Sequence, residues 1–212
     1  MSDPTDTGIL KYIITLVAVA FGWFLGETTG WLKKRWSVHN LKKSLLLEIE
    51  DALGWLRRNQ ITIEHIIQLV VLNEFIDAGP VQVPTHIYDN HFPEISTHLT
   101  RSERVSYNSI YNLIHLCDKD SGRLVDLIRS NQFNNNKRKE FKGVLEAMHH
   151  NVYMAISQIQ YHLANRKDLD VFKVTDEQTK QIEDEIIRRL HEICSQAKQI
   201  GLEEVKQRYY KK

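Results

Sequence analysis

YIITLVAVAFGWFLGETTGWL, Tyr12 to Leu32, runs for 21 residues with one charge, Glu27, and ends on Lys33, Lys34 and Arg35. As a helix it would be about 31 Å long at 1.5 Å per residue, enough to cross the hydrocarbon core of a bilayer. The rest of the chain is polar enough to be soluble. The first reading is therefore a membrane anchor over residues 1–35 and a soluble domain over 36–212. Ala18-Val19-Ala20 has the small residues of a signal-peptidase site. However, the leader MSDPTDTG carries acid where a signal peptide wants base, and the apolar run continues through Phe21 to Leu25. A retained anchor fits better. Asp3 and Asp6 precede the span, whereas Lys33, Lys34, Arg35, Lys42 and Lys43 follow it. The positive-inside rule then puts the N-terminus outside and the domain in the cytoplasm, with Tyr12, Trp31 and Trp36 at the interfaces.

Small residues recur along this span at Ala18, Gly22, Gly26 and Gly30. At about 100° per residue, Lys11, Thr15, Ala18, Gly22, Gly26 and Thr29 share one arc of about 80°. Ile13, Leu16, Val17, Phe24 and Trp31 fill the other side. Glycine weakens a helix, so its recurrence on one stripe predicts close approach between helices, hence a homo-oligomer. The hydroxyls of Thr15 and Thr29 and the Lys11 ammonium lie on the same stripe, as a helix seam or a narrow wet lumen would require. The bland alternative is that glycine is common in membrane helices.

After the span, four prolines and nine glycines in 212 residues, with long Leu/Ile/Glu/Lys/Gln runs, predict an all-α protein. A helix is expected from Ser37 or Asn40 to Phe75, with Leu41, Leu45, Ile49, Ala52, Leu53 and Leu56 on one stripe, in a position to extend the anchor. Asp77–Ser96, with Pro80, Pro84 and Pro93, reads as a long loop. Thr100 or Ser102 with Glu103 starts a second helix, which Asp118–Gly122 is expected to bend or interrupt. SNQFNNNKRKEF suits a turn. A third helix runs from about Glu140 to Arg166, burying Val144, Met148, Val152, Ala155, Ile159 and Leu163. Thr175 with Gln178 forms a capping box for a last helix ending near Gly201, with Asp184–Arg188 and Glu185–Arg189 as exposed pairs. The sum is one N-terminal transmembrane helix followed by an antiparallel helical bundle.

Charged residues make up 26% of the chain and the formal net charge is +1, which excludes a globally basic nucleic-acid binder. Cys117 and Cys194 have no partner motif and read as buried thiols in a reducing compartment. His86, Asp89, His91, Glu94 and His98 have no metal-site spacing and read as a polar surface loop. No phosphate loop, nucleophile elbow or dinucleotide fingerprint is present, and neither a cofactor nor an enzyme activity is expected. Basic residues cluster as Arg57-Arg58, Arg101 with Arg104, Lys137-Arg138-Lys139, Arg166-Lys167 and Arg188-Arg189. Repeated around an oligomer axis, they are candidates for binding an anionic ligand such as a nucleotide or oligonucleotide.

Two resemblances follow from these residues. The acidic lead, the glycine-striped span Ala18–Arg35 and the helical domain behind it resemble single-pass effector subunits of bacterial antiphage defence operons. That likeness implies an oligomer that permeabilises the inner membrane as a gated pore or ion channel, under control of an operon-encoded nucleotide-signalling enzyme. Arg58-Asn59 with His65 is similar to the Arg-polar…His signature of HEPN ribonucleases, helical bundles in which Arg and His meet at a dimer interface to cleave RNA. Stacking at i, i+7 on one helix face is the plainer account of that spacing. A membrane adaptor that recruits a partner protein is the third option.

Overall fold

The computed structural model describes residues 4–74, 79–129 and 135–210, with side chains over 16–74, 79–129 and 136–208. Among the described residues six α-helices are formed: α1 Pro4–Val71, α2 His86–Ser96, α3 Arg101–Arg129, α4 Asn135–Ala164, α5 Asp176–Ile200 and α6 Leu202–Tyr210. A 3-10 turn, Val171–Lys173, joins α4 to α5, and no strand occurs among the described residues. The chain divides into two compact units, Met1–Ser44 and Leu45–Lys212.

The helix expected from Ser37 or Asn40 is thus the second half of α1, which begins at Pro4. Among the described residues, however, no helix is long and apolar enough to cross a membrane. The stretch Tyr12–Leu32 begins with four residues whose side chains lie outside the description, and the remainder is diluted by Glu27, Thr28, Thr29 and three glycines. The structure therefore supports the helix itself but lends the transmembrane expectation no support.

The core of the larger unit is a set of coiled-coil-like seams. On α1, Leu45, Ile49, Ala52, Leu56, Asn59, Ile63 and Ile66 are all buried, alternating steps of four and three residues. On α4 the buried series is Leu145, Met148, Val152, Ala155, Ile159 and His162. Such spacing keeps one stripe of each helix facing its neighbours. Contacts along the seams give the directions. Arg123 of α3 meets Glu140 of α4, while Ser106 meets His162, so α3 and α4 are antiparallel. Glu64 of α1 meets Tyr153 of α4, Glu50 of α1 meets Arg166 just past the end of α4, and Asn73, just past the end of α1, meets Arg138 of α4, so that pair is antiparallel too.

α1 and α3, in contrast, run parallel, which departs from a simple up-and-down bundle. Glu48 meets Tyr111, and further along Asn59 reaches α3 through the segment Pro80–Val83. A parallel neighbour needs a connection long enough to return along the bundle. The proline-rich segment supplies it, and it is not the plain loop expected. The Asn59 carboxamide donates to the Val81 carbonyl (2.7 Å) and accepts the Val81 N–H (2.9 Å). From the other side the Asp118 carboxylate accepts the Val83 N–H (3.4 Å), and Ser121 donates to the Pro80 carbonyl (3.2 Å). These bonds give Asp118 and Ser121 tertiary partners, so the polar stretch that was expected to interrupt α3 lies inside one continuous helix.

The second half of the expected loop is α2, despite Pro93 inside it. Its N-terminus is capped from α1. The Glu48 carboxylate accepts the N–H of Ile87 (2.5 Å) and of Tyr88 (3.0 Å), together with the Tyr111 hydroxyl (2.6 Å). A carboxylate at a helix N-terminus satisfies orphan donors and complements the dipole. Tyr88 stacks on Tyr111 at 3.8 Å between centroids, and Ile95 is fully buried, so packing compensates for the proline. Local signals elsewhere held: Thr100 with Glu103, and Thr175 with Gln178, both form reciprocal caps. α5 stops at Gly201, whose φ of +80° only glycine adopts without strain. α4 starts at Asn135, ahead of the expected Glu140, and the first residues of the Asn-rich turn (130–134) lie outside the described residues. Both cysteines are free, Cys117 buried and Cys194 half-buried, and burial pushes the Cys117 thiol up to about 12.

Asn59 is the polar member of the α1 seam because it replaces a missing strand partner for Val81. Asn59→Ala would leave both Val81 groups without that partner and should lower unfolding stability by about 2 kcal/mol. Denaturant unfolding followed by circular dichroism measures the loss, and Asn59→Asp, which keeps only the acceptor, should fall between the two.

Candidate functional site

The smaller unit carries the most unusual surface. Every residue from Leu16 to Ser37 is exposed except Thr28, which is partly covered. Among them Leu16, Trp23 and Trp36 are 72%, 71% and 70% exposed. Val17, Val19, Phe21, Phe24, Leu25, Trp31 and Leu32 are all at least half exposed. These side chains take up every face of the helix except the glycine stripe, whereas a helix with so wide an apolar surface is normally enclosed by protein or lipid. Ten large apolar residues at about 1.5–3 kcal/mol each amount to roughly 15–30 kcal/mol of burial that this chain alone leaves unrealised.

Glycine adds a second property. A Cβ built on Gly22, Gly26 or Gly30 meets nothing within 4 Å. None of the three has a positive φ. Alanine would therefore be accommodated at each site, at a gain of about 1 kcal/mol in helix propensity. Nothing among the described residues requires these glycines. Ala18 and Thr29 continue the same stripe, while the side chains of Lys11 and Thr15 lie outside the described residues. Thr29 donates its hydroxyl to the Leu25 carbonyl (2.6 Å) and Thr28 donates to the Phe24 carbonyl (2.8 Å). The hydroxyls are thus satisfied within the helix, which lowers their cost in an apolar setting and removes Thr29 as a free polar group on the stripe. The Arg35 guanidinium lies over the Trp31 ring at 5.2 Å.

The basic residues expected to hold an anion are not gathered in one place. Arg57 and Arg58 are exposed on α1, with the Arg58 guanidinium over Trp55. Arg104 donates to the carbonyls of Leu99 (2.6 Å) and Ser96 (3.2 Å) and thereby closes the C-terminal end of α2. Arg101 lies over the Phe172 ring at 4.9 Å. Arg166 faces Glu50 and Arg138 faces Asn73. Arg138 lies in the first turn of α4 and Arg166 just past its end, a separation of about 40 Å along that helix. Lys137 is half-buried, and Lys139 and Lys167 are exposed beside Arg138 and Arg166. Arg188 pairs with Glu192 and not with Asp184.

Arg189 turns inward, away from the expected exposed pair with Glu185. Its Nη2 and Nε donate to the two carboxylate oxygens of Glu64 at 2.8 and 3.3 Å. Tyr153 (3.2 Å) and Gln60 (3.3 Å) donate to the same carboxylate, and His149, fully enclosed, lies 3.9 Å away. Burial alone would raise the Glu64 carboxyl; His149, Arg189 and Gln60 outweigh it and hold it down to about 2. This hub binds α1, α4 and α5 together. It was missed because its five members lie on three helices, and only the inward-facing register of Glu64 in the α1 stripe hinted at it.

Arg58 and His65 are not brought together within the chain. Arg58 is exposed over Trp55, whereas His65, two turns further on, is buried and its imidazole is pushed toward the neutral form by that burial. Asn59, the residue between them in the resemblance, is occupied by Val81. Among the described residues no group of three His, Cys, Asp or Glu side chains is arranged to hold a metal ion. Comparison with protein-family models, with curated proteins and with solved structures returns no match.

Because the Glu64 carboxyl is depressed in the folded state, its contribution is full above about pH 4.5, the ordinary glutamate value, and disappears as the pH falls through about 2. The wild-type chain should lose about 3 kcal/mol of stability across that window through this residue alone. Glu64→Gln should be less stable at pH 7 and show a correspondingly flatter acid limb in denaturant titrations at stepped pH.

Proposed function

We propose that the chain is a self-associating, non-enzymatic membrane effector: Tyr12–Leu32 crosses the bilayer with the N-terminus outside, and the domain from Leu45 onward is a cytoplasmic control domain. The observation that carries this reading is the helix surface from Leu16 to Trp36, whose large apolar side chains are exposed on every face but the glycine stripe. Lipid and neighbouring copies are the two environments that cover such a surface, and the basic stop at Lys33, Lys34 and Arg35 orients it. The glycine stripe, unneeded inside the chain, supports helix–helix contact between copies. The resemblance to pore-forming defence effectors adds permeabilisation of the membrane as the output. An anionic ligand would have to be gripped by basic residues of more than one subunit, because Arg138 and Arg166 stand at opposite ends of α4.

Gly22→Leu with Gly26→Leu should convert the detergent-solubilised oligomer largely to monomer, read by light scattering coupled to size exclusion. Gly22→Ala alone should have the smaller effect. Expression of the wild-type chain should depolarise the bacterial inner membrane, and the double variant should not, although it is still inserted. An oligomer that survives both leucines would transfer assembly to the cytoplasmic bundle, and extraction of the protein by alkaline carbonate would overturn the membrane reading.

A further inference from the structure

The packed half of α1 buries one stripe and leaves another uncovered. Leu47 and Ile61 are about half exposed, and a Cβ built on Gly54 meets nothing within 4 Å. Glu50, Asp51, Arg57 and Arg58 are exposed between them. At about 100° per residue, Leu47 and Ile61 lie within about 20° of the Gly54 direction, and the four charged residues within about 60°. All of them share one face of the helix, about 21 Å long, within the larger unit.

The order of these residues is symmetric about Gly54. Leu47 precedes it by seven residues and Ile61 follows it by seven. Glu50 and Asp51 precede it by four and three, and Arg57 and Arg58 follow it by three and four. Acid before the glycine is thus answered by base at the same spacing after it. A two-fold axis at such a point sets each residue opposite its counterpart, which is the condition for an isologous contact. Glycine weakens a helix, nothing among the described residues requires it at position 54, and a bare backbone there lets another helix approach closely. The charges are also available. Asp51 and Arg57 have no hydrogen bond or ion pair among the described residues, Glu50 meets Arg166 only at 3.9 Å, and Arg58 lies over the Trp55 ring.

We propose that this face docks a second copy of the chain, antiparallel across Gly54, with Leu47 against the partner's Ile61, Asp51 against the partner's Arg58 and Glu50 against the partner's Arg57. Charge sets the direction. A parallel partner in register would place Asp51 beside the partner's Glu50 and Arg58 beside the partner's Arg57, and like charges across a contact repel. A second copy carries the matching order of charges by necessity, which is why it is the occupant. A strip about 21 Å long and one helix, about 10 Å, wide covers about 200 Å², against about 800 Å² per partner in a standard interface, so the contact is weak and reversible. It runs the two packed halves in opposite directions and is distinct from the contact of the glycine stripe. It lies wholly within the larger unit and does not depend on the membrane reading.

Disulfide trapping of the concentrated full-length chain in detergent tests the contact. Every sample carries Gly22→Leu and Gly26→Leu, so the result is separate from the fate of the glycine stripe. Each also carries Cys194→Ser, which leaves Cys117, a buried thiol, as the only native cysteine. A Leu47→Cys chain mixed with an Ile61→Cys chain should cross-link about tenfold faster than either chain alone, and a Gly54→Cys chain should cross-link to itself. Asp51→Arg should slow the mixed reaction about tenfold, and adding Arg58→Asp should restore it. These positions are exposed, and an unchanged circular dichroism spectrum certifies the fold of each variant. Cross-linking of Leu47→Cys or Ile61→Cys alone at the rate of the mixture, no cross-link in the mixture, or a rate that ignores Asp51→Arg would overturn the proposal.

Discussion

The carboxamide of Asn59 sits in the middle of a hydrophobic seam and is bonded to both backbone groups of Val81. Removing an amide from water is costly unless its bonds are replaced, so the position makes sense only with Val81 in place. That pairing holds an extended segment between α1 and α3, and the segment sets the parallel direction of those two helices. α4 then returns antiparallel to both, and α5 lies along it. One polar residue at a seam position thus specifies the order of the layers, much as a buried asparagine fixes register in a coiled coil.

The larger unit is stabilised by the same device used several times. Glu48 closes the start of α2, Arg104 closes its end, and Glu64 joins three helices through Arg189, Tyr153 and Gln60. Each carboxylate is satisfied by several donors and the Arg104 guanidinium by two carbonyl acceptors, the condition under which a half-buried charge contributes to stability and does not drain it. The smaller unit shows the opposite balance. From Leu16 to Trp36 the helix satisfies its polar groups within itself and leaves its apolar groups uncovered. A surface of that kind is suited to lipid or to another copy of itself, not to water.

Charge is distributed with the same logic. Basic residues that look like clusters in the sequence are separated by the fold: Arg104 serves carbonyls, Arg189 serves Glu64, and Arg138 and Arg166 stand about 40 Å apart at the two ends of α4. Adjacent residues on a helix diverge by about 100°, so a basic dipeptide sends its two charges to different surroundings. A cavity between α3, α4 and α5 is lined instead by amides, hydroxyls and apolar groups, with Glu185 its one charged residue.

What the sequence by itself determined is the set of features controlled by neighbours three or four residues away. The helical class, the reciprocal caps at Thr100–Glu103 and Thr175–Gln178, the stop at Gly201 and the buried stripe from Val144 to Ile159 were all legible for that reason. So was the apolar run from Tyr12 to Leu32, although its environment is not a local property. Tertiary structure decided what depends on distant partners. Pro93 lies within a helix because Glu48, some forty residues earlier, caps it; Asp118–Gly122 stays helical because Pro80 and Val83 take its polar side chains. Arg189 turned inward because Glu64 waits on another helix. The cavity beside Gln158 exists only where α3, α4 and α5 converge, since no single helix encloses a volume, and no spacing within one helix could have announced it.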